Sequence, residues 1–97
     1  MQKNEPIALP ADPKDADDFD VSVEAMERGQ RARLIRVTRT KLGLSQSEFA
    51  ARFKVPVGTL RDWEQARVTA PDFAIAYLRV IARHPDMVAE VLAGEAA

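Results

Sequence analysis

Residues 45–65, SQSEFAARFKVPVGTLRDWEQ, hold two short amphipathic segments separated by only a few residues. Ser45 is placed to cap the first, and Glu48, three residues on, completes a capping box, in which each side chain binds the other residue's backbone N–H. Phe49, Ala50 and Phe53 fall on one face of that segment. Pro56 stands where a helix start tolerates a missing amide hydrogen. Leu60 and Trp63 form the dry side of the second segment, while Arg61, Asp62 and Glu64 are expected to face elsewhere. Two helices crossing over so short a turn need a small residue at the crossing, which Ala50 supplies. If the first helix is to point at a phosphate backbone it also needs a polar start, which Ser45 and Gln46 supply. These are the requirements of a helix-turn-helix over about residues 45–65.

Working outward, the chain reads as helical on both sides. Upstream, Ser22 can cap a helix with Glu24 and Glu27 in its first turns, and Gly29 is expected to weaken or split it. From Gln30 the pattern continues, with Leu34, Ile35, Thr38 and Leu42 on one face and Arg31, Arg33, Arg36, Arg39 and Lys41 around it, until Gly43 closes the helix. Downstream, residues 66–70 read as a loop and Pro71 opens a fourth helix. Its predicted buried stripe is Phe73, Ala76, Tyr77, Val80 and Ile81. His84 and Pro85 break it, and a last helix carries Met87, Val88, Val91 and Leu92. No segment alternates as a strand does. The expectation is an all-α, compact five-helix domain over residues 22–97, preceded by a flexible acidic N-terminal arm over residues 1–21.

Charge is distributed unevenly behind a net value of −1. Residues 1–29 hold eight acids and three bases, residues 30–67 nine bases and three acids, and residues 68–97 two bases and four acids. A basic middle suits a polyanion and an acidic arm suits a basic partner. With no cysteine and one histidine, His84, neither disulfides nor a metal site are expected. No nucleophile–base–acid set, P-loop or dinucleotide fingerprint is present, so neither an enzyme nor a cofactor is expected. No apolar run suits a membrane span or a signal peptide, which makes the cytoplasm the expected location.

With "LGLSQSEFAARF", the "WEQAR" that ends the second segment, and Pro71 at the next helix, the chain resembles the Xre/Cro-type helix-turn-helix family from about residue 34 to residue 81. "VPVGTLRDWEQ" is similar to the recognition segment of the branch that includes HigA-like antitoxins. The resemblance implies a DNA-binding domain acting as a homodimer on a palindromic double-stranded operator. It also implies a transcriptional repressor that neutralises a partner toxin, with a free-standing Xre-type regulator as the alternative. A helical interaction module without DNA is the reading from outside that class. Two positions depart from the family: Lys54 and Ala66 stand where glycine is usual, and a left-handed backbone at a non-glycine residue costs roughly 1–2 kcal/mol.

If the second helix enters a major groove, Val57, Gly58, Thr59, Arg61 and Asp62 face the base edges. Val57 is either a core or turn residue or a contact to a thymine methyl, and Thr59 serves a phosphate or a base. Arg61 is suited to guanine, and Asp62 accepts from cytosine or orients Arg61. Ser45, Gln46, Ser47, Arg39, Lys41, Arg52, Lys54 and Arg67 are the expected phosphate contacts. In the acidic arm, Ile7, Leu9, Asp17, Asp18, Phe19 and Val21 are the candidates for holding a small basic toxin, which the resemblance suggests is of the RelE/ParE type. Tyr77, Met87, Val88, Val91 and Leu92 are the candidates for a dimer surface.

Overall fold

A computed structural model of the chain describes residues 22–96. Five helices follow one another: α1 Val23–Lys41, α2 Gln46–Phe53, α3 Val57–Glu64, α4 Asp72–Arg83 and α5 Pro85–Ala96. There is no strand among the described residues. The acidic arm and its candidate toxin contacts Ile7, Leu9, Asp17, Asp18, Phe19 and Val21 lie outside them.

α1 begins as its residues dictate, with the Ser22 hydroxyl accepting from the Ala25 amide at 3.1 Å. It ends in a Schellman closure: Gly43, at φ 73°, donates to Thr40 at 3.0 Å, and Leu44 to Arg39 at 3.4 Å. The expected break at Gly29 does not occur, and α1 runs through it without interruption. An interior glycine costs only about 0.5–1 kcal/mol. Arg31 braces the turn by pairing back over Gly29 to Glu27 at 2.9 Å. The same guanidinium reaches the Ala70 carbonyl at 2.7 Å and Asp72 at 2.8 Å, tying α1 to the start of α4.

The core is built from Ile35 of α1, Phe49 and Phe53 of α2, Leu60 of α3, and Leu78 and Ile81 of α4, all fully buried. Small residues, Ala32, Ala50, Ala70 and Ala74, let the helices approach closely. Phe49 and Phe53 stack at a tilt, 4.8 Å between ring centres. The Tyr77 hydroxyl donates to the Phe53 carbonyl at 2.6 Å, and burial pushes its pKa upward. Helix α3 packs on both α1 and α2, α1 also packs on α4, and α5 covers α2 and α4.

The buried stripe of α4 differs from the one expected. Ala74, Leu78 and Ile81 are buried, whereas Phe73 is 74% exposed and Ala76 and Val80 also face outward. Asp72, Arg79 and Arg83 share the exposed face of α4, and the buried residues stand opposite it; the expected stripe is rotated from the buried side toward Phe73 and Val80. Apolar spacing taken alone misses this; the positions of the charges mark the outer side, and the helix packs on α1 and α5 with the other. On α5, Val88, Ala89 and Leu92 pack on the core while Met87 and Val91 stay exposed.

Candidate nucleic-acid interface

The helix-turn-helix is held by local bonds at each corner. Ser45 accepts from the Glu48 amide at 3.1 Å, and the Glu48 carboxylate accepts from the Ser45 amide at 2.8 Å. The bond from the Ser45 backbone, then that with its side chain, holds the Glu48 pKa below the ordinary carboxylate value. At the turn, Lys54 takes the left-handed conformation, φ 61° and ψ 42°, and the Lys54 and Val55 amides both donate to Ala50. Beyond α3, Ala66 takes φ 57°, donating to Trp63 at 3.1 Å while Arg67 donates to Asp62 at 2.9 Å. Both positions expected to need glycine therefore do adopt its backbone.

No side chain caps the start of α3, where Pro56 is the N-cap residue. Gly58 and Arg61 are exposed on its outer side, Val57, Thr59 and Asp62 are half-buried, and Trp63 packs partly against the core. The helix thus has a dry side seated on α1 and α2 and, among the described residues, a side that no other helix covers. Ser45 and Ser47 are exposed at the neighbouring start of α2.

Glu64 corrects the sequence reading. It is 7% exposed, not surface-facing, and accepts from Arg39 Nε at 2.7 Å and Nη2 at 2.9 Å. Arg39 is the second correction. Its expected role was to meet a phosphate, but its side chain is only 14% exposed and its third nitrogen, Nη1, donates to the Leu44 carbonyl at 2.9 Å. The bond that Arg39 donates to Glu64, more than the opposing effect of burial, raises the pKa of the Arg39 guanidinium. The sequence held a signal for Glu64 but not for its partner: Glu64 lies four residues after Leu60, on the buried stripe, where a charge requires a partner.

The pair extends outward. Gln46 donates to Glu64 at 3.1 Å and accepts from Arg61 Nε at 3.4 Å, and Arg36 donates to the Glu64 carbonyl at 3.3 Å, satisfying an end of α3. Arg36 was not among the expected site residues. Asp62 does not orient Arg61; its carboxylate meets Arg67 at 3.6 Å on the surface. Such exposed pairs contribute about 0–1 kcal/mol, so a polyanion can displace the acid from Arg67. Arg52 and Lys54 are exposed but line an open cleft with Glu48, Ala51, Ala89 and Ala93, between α2 and α5. Lys41 lies beside Leu34, Val37 and Ala82, between α1 and α4. The structure thus gathers Gln46 and Arg61 with the start of α2, and leaves Lys41 on another side.

His84 is exposed at the C-terminal end of α4, and no group of residues suited to a metal ion occurs among the described residues. No helix among the described residues is long and apolar enough to cross a membrane.

Fold and site together define an all-helical domain built on a helix-turn-helix pair with an open outer face. The family model for the antitoxin component of the bacterial toxin-antitoxin system MqsA matches residues 12–92, and the chain belongs to that family. The match begins before Ser22, so it includes part of the acidic arm. Neither the curated proteins nor the solved structures contain a match to the chain.

Proposed function

We propose that the chain is an antitoxin that also represses transcription, binding its own operator as a homodimer through the outer side of α3. One observation carries the reading: in a helix whose inner side is fixed by Leu60 and the Glu64–Arg39 pair, Gly58 and Arg61 stand uncovered. Gly58 lets the backbone come close to a base pair, with open space where a Cβ would stand. Arg61 supplies a guanidinium suited to guanine. Val57, Thr59 and Asp62 flank it, and Ser45, Ser47, Lys54 and Arg67 supply donors for the adjoining phosphates. The excess of bases over residues 30–67 supports the same reading.

The likeness to HigA-type antitoxins belongs to this proposal, as does a small basic RelE/ParE-like toxin held by the acidic arm. A mobility-shift titration with the protein's own promoter tests the DNA half. Wild type is expected to bind with an affinity that falls steeply with salt, and Arg61→Ala to weaken binding by about 1–3 kcal/mol. Binding that ignores both salt and Arg61 would leave a helical interaction module as the better reading. Co-purification with the toxin tests the other half: loss on deletion of residues 1–20 supports the arm, and undiminished capture excludes it.

A further inference from the structure

Gln46 touches the interior and the surface at once. Its Nε2 donates to Glu64 Oε1 at 3.1 Å, and its Oε1 accepts from Arg61 Nε at 3.4 Å. A carboxylate only accepts and a guanidinium only donates, so the two neighbours fix which way the amide lies. Glu64 is itself held by two bonds from Arg39, at 2.7 and 2.9 Å, and Arg39 is anchored on the Leu44 carbonyl at 2.9 Å. The order of the buried pair thus passes through one amide to an exposed arginine. The contact occupies Nε of Arg61 and leaves the hydrogens on Nη1 and Nη2 unspent.

We propose that Gln46 is a positioning residue for base recognition, holding Arg61 by its Nε so that the Nη1–Nη2 fork meets guanine end-on. The proposal rests on the reading that α3 enters a major groove, and it replaces the expectation that Gln46 serves a phosphate. Guanine presents two acceptors there, O6 and N7, which a fork held at one angle can meet together. Released from Gln46, Arg61 keeps its charge but gains rotamers, several of which can point at phosphates. Gln46 therefore governs which sequence is bound more than how strongly the backbone is held.

The test uses the full chain and a duplex selected by the wild-type protein from a randomised pool. Affinities are measured for that duplex and for single base-pair changes in it, across a salt series, with wild type, Gln46→Met, Arg61→Ala and the double variant. Methionine keeps the length of Gln46 and removes both bonds. The ratio of two affinities from one preparation does not depend on the folded fraction, so a loss of stability does not enter. Wild type should prefer guanine at one position by about tenfold or more, and Gln46→Met should reduce this to within about threefold. The salt slope should stay unchanged, and the double variant should match Arg61→Ala in having no preference. If Gln46→Met keeps the preference and lowers the salt slope by about 1, Gln46 is a phosphate contact and the proposal fails. If Gln46→Met alters the preference equally when Arg61 is absent, Gln46 reads DNA itself and the proposal also fails. If Arg61→Ala keeps every preference of wild type, the groove reading of Arg61 falls and takes the proposal with it, a pattern distinct from the other two.

Discussion

Lys54 and Ala66 each place a Cβ on a left-handed backbone, at φ 61° and 57°. Each carries a steric cost of roughly 1–2 kcal/mol that glycine avoids, offset in part by the larger entropy glycine loses on folding. Lys54→Gly and Ala66→Gly should therefore each stabilise the domain by about 0.5–1 kcal/mol, read as a higher midpoint in thermal or urea unfolding. At Lys54 the same change removes a base beside the proposed phosphate contacts, so DNA affinity should fall as stability rises. Glu48 gives a pH prediction. Its pKa is lowered in the folded chain, so its ionised form favours folding above the ordinary carboxylate range, and this contribution is lost as pH falls through the lowered value. The difference in melting temperature between wild type and Glu48→Gln should be full near neutral pH and should shrink steadily in acid.

Among the elements, the helices were legible from markers at their ends: Ser22 and Gly43 for α1, Ser45 with Glu48 for α2, and the prolines Pro56, Pro71 and Pro85 at the starts of α3, α4 and α5. The buried face was legible where one stripe dominates, as in α2, with Phe49, Ala50 and Phe53. In α4 the apolar spacing pointed to Phe73 and Val80, whereas the shared exposed face of Asp72, Arg79 and Arg83 marks Ala74, Leu78 and Ile81 as the buried side. A prediction follows from the stripe observed. Leu78→Ala should cost about 2–5 kcal/mol in unfolding free energy because it empties a fully buried site. Phe73→Ser, at the position the spacing favoured, should change the stability of the monomer by no more than about 0.5 kcal/mol. In the site, the exposed start of α3 was readable from its place after a turn. The Glu64 network was not, because its partners Arg39, Gln46 and Arg36 lie 25, 18 and 28 residues away along the chain.

For the molecule as a whole, the Arg39–Glu64 pair ties α1 to the helix that would read DNA, and Gln46 brings in the start of α2. Removing one partner leaves a buried charge unmatched, so Glu64→Gln should cost about 3–5 kcal/mol, a large share of the stability of so small a domain. Replacing both, as in Arg39→Met with Glu64→Met, should restore much of that stability in chemical denaturation, yet leave Gln46 without its anchor and DNA recognition impaired. The unequal charge of the chain fits the proposed function at long range: a basic middle would suit a polyanion, and an acidic arm, partly within the antitoxin family match, would suit a basic protein. The most direct measurement of the central claim is an NMR titration of the isotope-labelled chain with its own promoter duplex. The account predicts that the amides of Gly58, Thr59 and Arg61, with those at the start of α2, shift most while α5 stays still. Tight binding that leaves the α3 amides unmoved and shifts α4 or α5 would contradict it.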